Sequence, residues 1–338
     1  MQAPGSVVYG SRAMGADLPR GMRRWWPFLL AGLAAGCSGR AGAPPDALAT
    51  DAADAADAAP SPAGDPAWPA ASRDAGAARV DERMLEPPAA LPGAERSTPE
   101  AVRFTSVDGV TLHGSLWRTG DPAAPAVVFV HQARSDRGEW SAVIEEVRRS
   151  APGLTVLAFD LRGHGASTEV GERTVRWKEL QSGDRSGLRR WASCTDDVQA
   201  AVAYLRGRVS GTIPRAIGLV GSSIGATSAL RAAANDGVVG PGNIAAVVVF
   251  SPGMSYFSVP VEGAAETLRM RRTPVLAMGA RDDTNDVVGT LERLQRILVE
   301  QLQPLLFDDG GHGVAIAAQH PEAVATLIVF LKARLGLL

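Results

Sequence analysis

Ser223 stands at the centre of Gly221-Ser222-Ser223-Ile224-Gly225, between the apolar run Ala216–Val220 and the helix-like Ala226–Arg231. A G-x-S-x-G placed there reads as strand, sharp turn and helix, with the serine hydroxyl held clear of a sheet edge. A hydroxyl is a weak nucleophile until a base takes its proton, so the pentapeptide predicts an imidazole and a carboxylate to orient that imidazole. Downstream, the apolar Pro274–Met278 runs into Gly279-Ala280-Arg281-Asp282-Asp283, which offers two adjacent carboxylates. Of the five histidines (His113, His131, His164, His312 and His320), only the last two follow that loop. His312 lies in Asp309-Gly310-Gly311-His312-Gly313, where glycines permit close approach to the elbow, whereas His320 precedes Pro321 and reads as a helix start. The chain order is therefore Ser, Asp, His, the order in which such an elbow finds its partners, and the chemistry is acyl transfer.

These residues need a frame to bring them together. From about residue 98 the chain becomes periodic. Val102–Val107 and Val110–Trp117 flank Asp108-Gly109 and predict a β-hairpin. Near-continuous apolar runs follow at Ala126–Val130, Thr155–Phe159, Ala216–Val220, Ala245–Phe250, Pro274–Met278 and Leu305–Phe307, as expected of strands buried on both faces. Helical patterns separate them, at Glu139–Arg149, Asp196–Arg206, Ile224–Ala234, Val287–Gln301 and Pro321–Leu335. Alternating strands and helices predict an α/β fold with a mostly parallel central sheet flanked by helices, and a site at the carboxyl ends of its strands.

With the elbow and this order in place, residues from about Val102 to Leu335 resemble the α/β-hydrolase family. Phe159-Asp160-Leu161-Arg162-Gly163-His164-Gly165-Ala166-Ser167 resembles the loop after the family's fourth strand, and Val130-His131-Gln132 its oxyanion segment after the third. The resemblance implies an oxyanion hole made by the backbone amides of Ile224 and Gln132, the latter departing from the glycine of many relatives. It also favours Asp282 as the acid, three residues after Gly279, with Asp283 as the alternative. His131 and His164 are expected to shape their loops. Serine at the elbow fits acyl transfer rather than the family's epoxide or haloalkane chemistries. The stretch after Ser251 is too short for a large cap domain, so the resemblance implies a comparatively open site whose selectivity depends on Gln132, Arg134, Met254, Tyr256 and Phe257. Residues 168–193, carrying Trp177 and Trp191, read either as a small lid or as an excursion packed on the sheet edge. The expected activity is a serine hydrolase of carboxylic esters or small acyl compounds; a peptidase of the same fold and a non-catalytic envelope binding protein are the alternatives.

The first 97 residues have another character. Met22-Arg23-Arg24-Trp25-Trp26 opens an apolar run, Pro27 to Gly36, that is shorter than the roughly 20 residues of a spanning helix and reads as a secretory signal. Its end, Leu33-Ala34-Ala35-Gly36-Cys37, resembles a bacterial lipoprotein signal, which implies lipid attachment at Cys37, a start at Met22 and anchorage of the exported protein to a membrane of the cell envelope. A soluble secreted or periplasmic protein is the alternative. Residues 1–37 then form the extension and signal, and 38–97, rich in Ala, Pro and Asp and poor in large apolar groups, a disordered tether to the folded domain at 98–338. With two cysteines in the chain, Cys37 and Cys194, acylation of the first leaves no disulfide framework. A net charge of -2 without basic blocks argues against nucleic acid. The absence of a Walker loop or zinc-spaced His/Cys cluster predicts no cofactor and no metal, and leaves a small acyl substrate as the partner. Nothing in the sequence sets an oligomeric state.

Overall fold

The computed structural model describes residues 98–207, 211–238 and 242–338. The signal, tether and Cys37 readings lie outside the described residues. An antiparallel hairpin opens the domain, β1 (Glu100–Thr105) paired with β2 (Thr111–Trp117). Then β3 (Ala126–Val130), β4 (Thr155–Phe159), β7 (Ile217–Ser222), β8 (Ile244–Phe250), β11 (Val275–Ala280) and β12 (Leu302–Phe307) lie parallel in the order β12-β11-β8-β7-β3-β4, with β2 antiparallel on β4. The six parallel strands correspond to the six apolar runs of the sequence. In β3 and β4 every residue is buried, because both faces of the sheet are covered.

Two separate cores do the covering. On one face α2 (Cys194–Arg206), α3 (Ile224–Asn235), α4 (Glu262–Met270) and α5 (Val287–Leu298) pack in sequence, burying Leu205, Leu230, Leu268 and Leu294. On the other, α1 (Ser141–Ser150) and α7 (Pro321–Arg334) bury Ile144, Leu327 and Leu331 against Val127, Phe129 and Phe250. Each such buried side chain contributes about 1.5–3 kcal/mol. A short helix, α6 (Ala315–Gln319), follows β12.

Register is what matters for a site. Val130 is opposite Gly221 and Phe159, Ser222 opposite Phe250, and Phe250 opposite Met278. The chain segments that leave β3, β4, β7, β8, β11 and β12 therefore emerge along one edge of the sheet, the place where a parallel sheet builds its sites.

Several short elements were not legible in the sequence. Residues 168–193 begin with a small hairpin, β5 (Glu169–Val170) and β6 (Arg173–Thr174), which extends the sheet edge through Thr111 and Glu169. Between β8 and β11 lie a two-residue-stranded hairpin, β9 (Ser255–Tyr256) and β10 (Val259–Pro260), and α4; no large cap domain occurs among the described residues. The helix expected over Glu139–Arg149 is α1, which begins two residues later, with Glu139 and Trp140 in a preceding 3₁₀ turn, Arg137–Trp140.

Candidate active site

The elbow is strained at one residue. Ser223 joins β7 to α3 at φ 54° and ψ −118°, a backbone conformation that costs a non-glycine residue about 1–3 kcal/mol. Its amide donates to the Phe250 carbonyl at 3.0 Å, which ties the turn to the neighbouring strand. Gly221 and Gly225 are required by close approach: a Cβ on the first would strike the Gly225 carbonyl, and one on the second the Val130 and His131 carbonyls. Ser223 is 6% exposed, and the Ile224 N–H, at the first position of α3, has no acceptor within the helix.

The base and its acid meet across two loops. His312 Nδ1 lies 2.8 Å from Asp283 Oδ2. Asp283 Oδ1 accepts the Asn285 backbone and side-chain N–H groups at 2.9 and 3.0 Å. Burial alone would raise the Asp283 pKa, but the bonds from His312, Asn285 and Ser251 outweigh it and hold the carboxyl below its ordinary value. An ionised Asp283 places the imidazole proton on Nδ1 and leaves Nε2 as a lone-pair base. Asp282, the acid favoured from spacing, is elsewhere: it is exposed, and its Oδ1 accepts the Gly311 N–H at 2.8 Å. The expected His312 partner is thus corrected to Asp283, because the Asp283–Asn285 turn directs the second carboxylate inward while the first fastens the glycine loop. His312 itself is carried to the elbow by Gly313, whose amide donates to Ser251 Oγ at 2.8 Å and where a Cβ would collide with Gln132 Oε1 and Ser222 Oγ.

The loop after β3 is pinned at nearly every polar atom. His131 Nε2 accepts the Leu161 N–H at 2.9 Å, so its Nδ1 carries the proton and donates to the Gln132 carbonyl at 2.7 Å. Burial, with His164 beside it, holds His131 down to about pKa 3, so the ring is neutral. His164, also lowered by burial, donates from Nδ1 to the Arg162 carbonyl and accepts the Arg134 N–H at 3.2 Å. The Gln132 N–H donates to Glu139 Oε1 at 3.0 Å, and the Gln132 side chain accepts from Ser222 Oγ at 3.1 Å. The expectation for the Gln132 amide is corrected accordingly: that donor is engaged. Between two occupied amides, the Ala133 N–H finds no acceptor among the described residues.

Residues 121–302, more than half of the chain, match the hydrolase family described as serine aminopeptidase, S33. The chain belongs to this α/β-hydrolase family. No curated protein matches it. Among solved structures, an esterase of Pyrococcus furiosus, Pf2001, is similar at 22% identity and TM-score 0.55, covering 70% of this chain and 93% of its own. The α/β hydrolase GrgF of Penicillium sp. sh18 is similar at 16% identity and TM-score 0.52, covering 71% of this chain and 100% of its own. These likenesses establish the fold, a mostly parallel sheet without a large cap, and the family match makes the chain a hydrolase.

This hydrolase adds a wall to its site that the sequence placed only by position. Tyr256 reaches in from β9: its hydroxyl donates to the Ser251 carbonyl at 3.1 Å and neighbours the Ser223 hydroxyl, and its ring stands edge-on to His312 at 6.2 Å. Burial, and then the Asp283 charge, push the Tyr256 pKa up, so the phenol remains a neutral donor. Phe257 stacks on Trp191 at 4.0 Å, and its carbonyl accepts the Gly183 N–H. Residues 168–193 therefore extend the sheet edge at their start and brace the β9–β10 hairpin at their end. Arg134 lies over the Trp177 ring, 5.4 Å from its centroid. Asp286 caps α5 by accepting the Gly289 N–H, and His320, which the sequence marks as a helix start, occupies the N-cap of α7, bonded to Asp309. Among the described residues no cluster of His, Cys, Asp and Glu could hold a metal ion.

Proposed function

We propose that this hydrolase cleaves carboxylic esters or related small acyl compounds through an acyl-enzyme on Ser223. The observation that carries the reading is the Asp283–His312 pair, 2.8 Å apart, directed to the same sheet edge as a Ser223 held at φ 54°. Ser223 Oγ attacks the acyl carbonyl while His312 Nε2 takes its proton, and Asp283 stabilises the resulting imidazolium. The tetrahedral oxyanion is received by the N–H groups of Ile224 and Ala133, the free donors beside the nucleophile, with Ala133 in the role first assigned to Gln132. One such donor contributes about 3 kcal/mol to the transition state. His312 then returns the proton to the leaving alkoxide, and water, activated by the same imidazole, releases the acid. Asp283, not Asp282, is the acid in this scheme.

Short-chain aryl esters test it. Wild-type protein is expected to turn over p-nitrophenyl acetate and Ser223→Ala to lose that activity by roughly 10³-fold or more; equal rates in the two proteins contradict the reading. The family description favours a second reading, an aminopeptidase, and aminoacyl p-nitroanilides in the same panel separate the two: faster cleavage of the anilides selects the peptidase.

The protein is also proposed to be exported and lipid-anchored through Cys37, on the strength of the basic, apolar and small-residue pattern that precedes it. No helix among the described residues is long and apolar enough to cross a membrane. Cys37→Ser is expected to move the protein from the membrane to the soluble fraction; unchanged fractionation contradicts lipidation.

A further inference from the structure

The residue that engages Gln132 is itself unusual. Glu139 sits in the 3₁₀ turn Arg137–Trp140, which is rigid at three points: Asp136 caps it by accepting the Gly138 N–H at 2.7 Å, the Arg137 side chain pairs with the buried Asp160 carboxylate, and Trp140 is fully buried between Phe129 and Phe250. From this platform Oε1 accepts the Gln132 N–H at 3.0 Å, while Oε2 is buried and, apart from the nearby Ser135 hydroxyl, has no donor among the described residues. A half-buried carboxylate held by one amide and one hydroxyl is costly to keep ionised, and a neutral acceptor would hold the same amide without the cost of a buried charge. Stability alone does not account for an acid here.

We propose that Glu139 is a positioning residue for acyl transfer, its ionised carboxylate fixing the Gln132 amide so that the adjacent Ala133 amide is the loop's donor to the oxyanion. The inference rests on the esterase reading above. A carboxylate accepts an N–H about twice as strongly as a neutral oxygen does, so the loop is held more tightly when Glu139 is ionised. Burial lifts its pKa to about 7, assisted by Asp136 and opposed by the Ser135 hydroxyl, the Gln132 amide and His312 across the site. Glu139 therefore loses its proton over the neutral range, and the hold on the loop weakens on the acid side of it.

The test compares full-length wild type, Glu139→Gln and Glu139→Ala on p-nitrophenyl acetate between pH 5.5 and 9, with a fluorophosphonate probe of Ser223 run on each. Glu139→Ala is expected to lower kcat at pH 8 by about tenfold or more with KM within about twofold, the pattern of an interaction made in the transition state. Glu139→Gln, near-isosteric and accepting the same N–H only through a neutral oxygen, is expected to lower kcat at pH 8 by about three- to tenfold, the loss that wild type undergoes when Glu139 is protonated. Its kcat/KM profile should lack the ionisation near neutrality that wild type shows. If Glu139→Ala does not fold, the Glu139→Gln profile decides alone. A Glu139→Gln profile superimposable on that of an active wild type overturns the inference and leaves the esterase reading standing. A wild type that neither labels nor hydrolyses overturns both.

Discussion

At the scale of single residues, Asp282 and Asp283 differ by one position and by everything around them. Asp283 bonds His312 and Asn285, whereas Asp282 is exposed and bonds one glycine amide. Asp283→Asn should therefore lower kcat by roughly 10³–10⁴-fold, because an amide at that point no longer dictates the imidazole tautomer. Asp282→Asn should cost less than about tenfold, and steady-state kinetics of the two variants check the difference; the reverse ranking contradicts the assignment. The sequence made the elbow legible because two glycines at fixed spacing answer a steric demand that no other residues meet. It could not separate adjacent aspartates, since the turn through Asn285 decides which one faces inward. Nor could it foresee that the Gln132 amide is engaged, because its acceptor Glu139 is seven residues away and faces it only through the 3₁₀ turn.

The β9–β10 hairpin carries the least legible part of the site at the scale of elements. Its turn residues, Phe257 and Ser258, have φ of 52° and 57°, values for which tight hairpins ordinarily use Asn or Gly. With neither residue present, no turn signal is legible there. The strain is offset by tertiary contacts, the Phe257–Trp191 stack and the bond from Gly183, and the result is a Tyr256 fixed beside Ser223 and His312. Phe257→Gly relieves the backbone and removes the stack. It is expected to leave the urea midpoint nearly unchanged while lowering kcat/KM by about three- to tenfold, since small displacements of site groups are costly to rate. An unaffected kcat/KM would show that the brace does not position Tyr256. The parallel strands, by contrast, were legible because burial on both faces writes an unbroken apolar run, and α4 and α6 were missed because helices of 9 and 5 residues leave little periodicity to read.

Over the whole molecule, a buried charge cluster ties the opening hairpin, the loop after β4 and α2 into one unit. Arg162, fully buried, bonds Asp197 at 2.7 Å and Asp108 at 2.6 Å, and Asp197 is also fully buried. The loop that carries Arg162 also carries His164, and through it the oxyanion loop. Arg162→Ala leaves Asp197 buried without a counter-charge and should destabilise the domain by about 3–5 kcal/mol, measured as a shift in urea unfolding; a shift below about 1 kcal/mol contradicts a linking role for the cluster. The acid–base pair, the braced hairpin and the pinned loop after β3 all act through Ser223. Mass spectrometry of the protein after brief exposure to a stoichiometric fluorophosphonate tests that account most directly. One adduct is predicted, located on Ser223, absent from Ser223→Ala and formed far more slowly in His312→Ala. No adduct, or one that survives Ser223→Ala, would contradict it.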